Sequence, residues 1–270
     1  MKNLKILRIL TILLSITLTL VSIAGAFFPD TYIRDSPSLG AQGVGQDLVD
    51  LFIAVPLLLL SFYYTARGSR PASLIYGGTL FYILYSFVIY CFGVHFNQLF
   101  LLYCSTLSLS LFAFIVLFSE LRQQQVADWF ERAPVKLLSV YLIIVAAVFY
   151  VLWLKSIIPA LVQNEVPPEV SDYGLLVNPV HVIDLVFALP GMIIGAVLLR
   201  RKRGLGYLIS SFALVFMILL TLALAAMVLM LAVRDIGEDY TVAIVFAVLA
   251  MASTLFSLIL FRSLKSKSST

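Results

Sequence analysis

Charge is scarce in this sequence. Asp, Glu, Lys and Arg supply only 12% of its 270 residues, against 62% hydrophobic ones. A soluble domain carries about twice that charged share. One soluble core has no room for so much apolar surface, so lipid must solvate it. Cysteine is scarcer still. Cys91 and Cys104 are the only two, and with no CxxC motif or cysteine framework they offer little for redox chemistry or a thiolate metal site. They read as free thiols packing as small hydrophobes rather than as a disulfide. Only two histidines occur, His95 and His181, neither in an HExxH arrangement, and no GxSxG or P-loop motif appears. A hydrolytic metal centre is therefore thinly supplied with ligands. The net charge of +4 does not point to nucleic acid, because the basic residues sit in short clusters between apolar runs.

What the sequence has in abundance is apolar runs of spanning length, which needs about 17–25 residues. Eight are read at about 6–28, 47–66, 72–92, 98–119, 137–158, 180–199, 205–233 and 241–262. The fold expected is an all-α polytopic membrane protein. Fifteen of the 18 basic residues gather at one set of ends: Lys2, Lys5, Arg8, Arg67, Arg70, Arg122, Arg132, Lys136, Arg200, Arg201, Lys202, Arg203, Arg262, Lys265 and Lys267. Only Arg34, Lys155 and Arg234 lie at the other ends, which also collect Asp30, Asp35, Glu165, Glu169, Asp172, Asp235, Glu238 and Asp239. The positive-inside rule then places both termini in the cytoplasm of a plasma-membrane protein. Ala24-Gly25-Ala26 resembles a signal-peptidase site, but the long apolar run and the seven runs after it favour an uncleaved first span.

The segment Glu120–Lys136 alternates Leu121, Val126, Trp129 and Phe130 with polar residues before Pro134. A short helix lying on the inner leaflet is expected. The outer segments 28–46 and 159–178 contain Pro and Gly and are expected to cover an outward-facing cavity; 159–178, with Pro159, Pro167 and Pro168, is expected to be irregular.

The second and sixth runs match each other. Asp50, Leu51, Ala54 and Pro56 correspond to Asp184, Leu185, Ala188 and Pro190 at an offset of 134, and Lys5 resembles Lys136 at an offset of 131. An intramembrane Asp followed six residues later by Pro, twice, suggests a parallel 4+4 repeat: 1–119 and 137–270, joined by a cytoplasmic connector at 120–136. Each Pro removes a backbone donor and crowds the carbonyl four residues earlier. Pro56 and Pro190 thus predict matched kinks, and paired interrupted helices point to a transporter site. Gly191 and Gly195 form a GxxxG that predicts a close helix neighbour. The alanines at 223, 225 and 226 suit either internal packing or a homodimer.

Asp47 and Asp50 share one helix face, as do His181 and Asp184. If the repeat brings the two faces together, they line one outward cavity with Tyr90, His95, Asn97 and Tyr103. Ionisable groups within a span cost about 2.5–3.5 kcal/mol at its centre and usually mark function. The competing reading is capping. Asp47 is expected near the interface, where it would satisfy free N–H groups at the start of span two, and Asn178-Pro179 reads as the cap of span six. The sequence leaves three functions open: an outward-facing protein that binds or transports a small solute or ion, a structural or assembly subunit without a ligand of its own, and a membrane-embedded metal-dependent hydrolase. The lipid bilayer is the one partner the composition names.

Overall fold

The computed structural model describes residues 2–236 and 240–265; Glu238, Asp239 and Lys267 lie outside them. Among the described residues, eight helices are long and apolar enough to cross a membrane: α1 (Leu4–Phe27), α2 (Pro37–Ala66), α3 (Arg70–Gly93), α4 (Phe100–Arg122), α5 (Val135–Gln163), α6 (Pro179–Arg200), α7 (Gly204–Val233) and α8 (Tyr240–Arg262). Each matches one apolar run. The protein is therefore an all-helical, multi-pass membrane protein, and its apolar outer surface implies a lipid environment.

The most buried helices, α3 and α7, pack against each other at the centre. Gly77 and Gly78 let α3 approach Phe212 and Val215 of α7 closely. Helix α2 packs against both central helices, and so does α6 from the other side. Helices α1 and α4 complete one flank, α5 and α8 the other. The start of α1 and the end of α8 lie at the same end of the bundle. The backbone N–H groups of Lys2 and Asn3 donate to the Glu120 carboxylate at 3.0 and 2.9 Å, so α4 satisfies donors that open the first turn of α1.

Three expectations need correction. Helix α2 begins ten residues earlier than hydropathy suggests. Ser36 caps it, its Oγ accepting from the Leu39 N–H at 3.2 Å, and Pro37 follows at the first helical position. Gly40, Gly43 and Gly45 make this stretch read as a loop, yet each is a packing site. The first two lie against the Tyr32 side chain, and Gly45 lies against the backbone of Ala226 and Met227 in α7. Second, residues 120–136 do not form an amphipathic helix on the leaflet. Helix α4 continues to Arg122, a single 3-10 turn covers Val126–Trp129, and Phe130 bridges to Leu264. Val126, Trp129 and Phe130 are buried in protein, with Phe130 stacked on Tyr207 at 4.6 Å. Third, the GxxxG is only half used: Gly195 meets Ile209 of α7, whereas Gly191 has no neighbour within 4 Å. Ala223 is fully buried and Ala226 meets Gly45, so both serve internal packing. The segment after 159 is also less irregular than expected: α5 carries Pro159 inside it and ends at Asn164, and a helical turn spans Pro168–Ser171.

Local geometry recurs at the offset of 134. A π turn occupies Asp50–Ala54 in α2 and another Asp184–Ala188 in α6. In each, the residue before the proline donates five residues back, Val55 to Asp50 and Leu189 to Asp184. This widening relieves the crowding a proline ring imposes on the preceding turn, so the kinks expected at Pro56 and Pro190 take the form of matched π turns. After α2, Gly68 adopts positive φ, and Lys202 does so after α6. The next helices start at Arg70 and Gly204.

Candidate functional site

Asp50 lies sixteen residues from Ala66 at the end of α2, and Asp184 sixteen from Arg200 at the end of α6. At 1.5 Å per residue both stand about 24 Å from the end that holds the termini, in the opposite half of the membrane. Neither caps a helix. Asp47 lies one turn further out but ten residues inside α2, so the capping expected of it is not what the structure holds. Asn178 does cap α6, its Oδ1 accepting from the Val180 N–H at 2.9 Å.

The α2 carboxylates are fully enclosed and held by neutral donors. Asp47 accepts from the Tyr32 hydroxyl at 2.5 Å and the Tyr90 hydroxyl at 2.9 Å. Gly25 of α1 backs this pair, leaving no room for a Cβ. Asp50 accepts from the Tyr82 hydroxyl at 2.8 Å and from Gln46 Nε2 at 3.2 and 3.3 Å. Tyr32 lies on the segment between α1 and α2, where burial and then the Asp47 carboxylate raise its phenol well above the ordinary tyrosine range. It remains a donor at any physiological pH.

Asp184 draws its partners from elsewhere. Tyr85 of α3 donates to Oδ1 at 2.9 Å, and Trp153 Nε1 of α5 donates to Oδ2 at 2.8 Å. His181, one turn earlier, packs its ring on Trp153 at 4.7 Å and stands 3.6 Å from Glu169 Oε1. That separation exceeds hydrogen-bond length, and the buried His181 Nε2 has no hydrogen-bond partner. Glu169 instead accepts from Ser156 at 2.5 Å.

Between these two groups lies a cavity of about 420 Å³, within the range of small-molecule sites. Gln46 of α2, Tyr85 and Tyr90 of α3, Trp153 of α5 and Asp184 of α6 reach its wall; Glu169 and Tyr173 border it from the segment after α5. The rest of the lining is mostly aliphatic or aromatic, with Leu220, Leu224 and Met227 from α7 and Phe246 from α8. A smaller hollow of about 210 Å³ lies beyond Tyr32. Tyr32 borders the hollow and Tyr90 the large cavity, so the two phenols on Asp47 face different spaces.

Of the eight residues the sequence nominated, Asp184 and Tyr90 line the cavity. Asp50 sits behind Gln46, and Asp47 between Tyr32 and Tyr90. Asp50 and Asp184 do not meet; successive tyrosines of α3, Tyr82 and Tyr85, separate them. His95, Asn97 and Tyr103 serve the outer loops. His95 Nδ1 pairs with Asp35 Oδ1 at 2.8 Å, while Asn97 Nδ2 donates to the Thr31 carbonyl and to the Tyr103 hydroxyl at 3.2 and 3.0 Å. Thr106 and Ser110 of α4 donate to carbonyls of their own helix. Among the described residues no group of three or more His, Cys, Asp or Glu side chains is placed to hold a metal ion. Sequence reasoning missed Tyr85, Trp153, Gln46, Tyr32 and Glu169. Only Tyr85 carried a signal, lying one helical turn after Tyr82 on α3.

No family model matches the chain, and neither does a curated protein or a solved structure.

Proposed function

We propose that this membrane protein binds or transports a small molecule that occupies the cavity between its two halves. The observation that carries the reading is the Asp184 carboxylate on the cavity wall, in the membrane half opposite the N-terminal end of α1, 4% exposed and held by Tyr85 and Trp153. An ionisable group in that position is costly, and function is the usual reason for retaining one. The protein sits in the plasma membrane with both termini in the cytoplasm, on the strength of its basic clusters, and the cavity faces outward. The halves 1–119 and 137–270 are parallel repeats joined by 120–136; the matched π turns and positive-φ residues support this duplication.

Binding is tested with purified protein in lipid nanodiscs, screened for ligands that raise its melting temperature. Leu220→Trp fills the cavity from α7 and is expected to abolish the shift while the protein still folds. Asp184→Asn is expected to do the same for a charged ligand. If filling the cavity leaves every ligand response intact, the site lies elsewhere and this reading fails. The alternative, a structural or assembly subunit, is favoured by one observation: Asp47 and Asp50 are fully enclosed with internal partners. A stable co-purifying partner with no ligand-sensitive melting would establish it.

A further inference from the structure

We infer that the cavity takes an amphiphilic organic cation: an ammonium or amine head against Asp184, with an apolar body along α7 and α8. This rests on the reading of the cavity as a ligand site.

Three features carry it. The first is the sign of the charge. Two carboxylates border the cavity, Asp184 inside and Glu169 nearer the surface, and no lysine or arginine lines it among the described residues. Asp184 has two neutral donors and no basic partner among the described residues, so a cation is what compensates its charge on entry, whereas an anion meets repulsion without a counter-charge. The second is the aromatic wall. Trp153, Phe149, Tyr85 and Tyr90 border the same space as the carboxylate, and ring faces favour ammonium groups, quaternary ones included. The third is the apolar remainder. Leu220, Leu224, Met227 and Phe246 present no hydrogen-bonding side chain. A bare metal ion or small hydrophilic cation leaves that surface unpaired, while an alkyl or aryl body buries it. Helices α5 and α8 touch toward the termini, where Tyr141 hydrogen-bonds Ser253 at 2.7 Å and stacks on Phe256 at 4.0 Å. Farther from the termini both border the cavity instead, which gives an apolar tail its place.

The chain's two tryptophans make the test direct. Trp153 lines the cavity, and Trp129 is buried in the connector far from it. A Trp129→Phe variant in lipid nanodiscs therefore reports on the cavity alone. Three bromoalkyl probes of equal chain length are titrated at submicellar concentration: a trimethylammonium, an alcohol and a carboxylate. The expected result is saturable quenching by the ammonium with an affinity about tenfold or more above the other two. Asp184→Asn is expected to remove that preference while the alcohol response stays. The wild-type head-group series decides the question even if the variant fails to fold. Equal affinity for alcohol and ammonium, or a preference for carboxylate, overturns the cation inference and leaves a ligand-binding cavity standing. No saturable quenching by any probe overturns both.

Discussion

The carboxylates of α2 and α6 sit in membrane-embedded protein without a basic partner among the described residues, and tyrosine explains how. A phenol donates one hydrogen bond while its ring packs as a hydrophobe. Asp47 and Asp50 each take at least one bond from such a ring, and Asp184 takes one from Tyr85 and one from the indole of Trp153. Losing a phenol leaves buried acceptor capacity unfilled, which costs about 1–3 kcal/mol in soluble proteins and averages nearer 0.6 in membranes, where the unfolded chain also finds partners. Tyr82→Phe and Tyr85→Phe are each expected to destabilise by about 1 kcal/mol in a reversible unfolding assay. Their effects on ligand response should differ. Tyr85 borders the cavity and orients Asp184, so its loss should weaken binding; Tyr82 hydrogen-bonds Asp50 and Gln46 and does not border the cavity, so its loss should not. Equal effects on binding would mean that the Asp50 group takes part in the site. Asp50 and Asp184 were nominated as ionisable residues in matched apolar runs, and Tyr90 as a polar residue at similar depth, because a polar residue inside an apolar run is visible in one dimension. Trp153 and Tyr85 were not visible as partners of Asp184. Their role depends on which faces of α3, α5 and α6 meet, and the apolar pattern of a membrane helix encodes its rotation poorly.

Helices are where reading the sequence succeeded most and failed most instructively. Every span was found, since twenty or so apolar residues admit few other structures. The start of α2 was missed because Gly40, Gly43 and Gly45 with Gln42 and Gln46 resemble a loop by composition. In the bundle those glycines are contacts. A Cβ on Gly45 would stand 2.7 Å from backbone atoms of Ala226 and Met227, where neither helix can yield by a rotamer change. Gly45→Ala is therefore expected to destabilise by about 1–3 kcal/mol through overpacking. Gly191→Ala is the matched control. Nothing lies within 4 Å of its added methyl, so better helix propensity is expected to make it neutral or stabilising by up to about 1 kcal/mol. Both values come from unfolding in the same lipid. If Gly191→Ala proves the more damaging, an unrecognised contact, such as a second copy of the chain, covers that face of α6. The connector shows the converse error. Its alternating pattern suits a leaflet-bound helix, but the apolar residues find Tyr207 and the chain end instead. An amphipathic pattern states that a face is buried without naming what buries it.

At the scale of the molecule, the two π turns sit in different surroundings. The Asp47 and Asp50 carboxylates beside the first are enclosed, whereas Asp184 in the second lies on a cavity. Under the proposed duplication, Trp153 of α5 would correspond at the offset of 131 to Ser22 of α1; Trp153 reaches Asp184, while the buried Ser22 hydroxyl has no partner among the described residues. The proposed outward orientation of the cavity rests on charge. Arg122, Arg132 and Lys136 lie at the end where Glu120 receives the N–H groups of Lys2 and Asn3, and Asp35, Glu169 and Asp172 lie at the other. Both clusters belong to short connections, for which the positive-inside rule holds best. The rule is tested by single cysteines in a Cys91→Ser/Cys104→Ser background. Leu176, 99% exposed on the segment between α5 and α6, is replaced in one variant as Leu176→Cys. Gln124, exposed on the connector, is replaced in the other as Gln124→Cys. A membrane-impermeant maleimide applied to intact cells is expected to label position 176 and to reach position 124 only after permeabilisation. The reverse pattern would turn the cavity toward the cytoplasm. The candidate site would keep its geometry, but its ligand would then be drawn from inside the cell, and the outward-facing reading would fall.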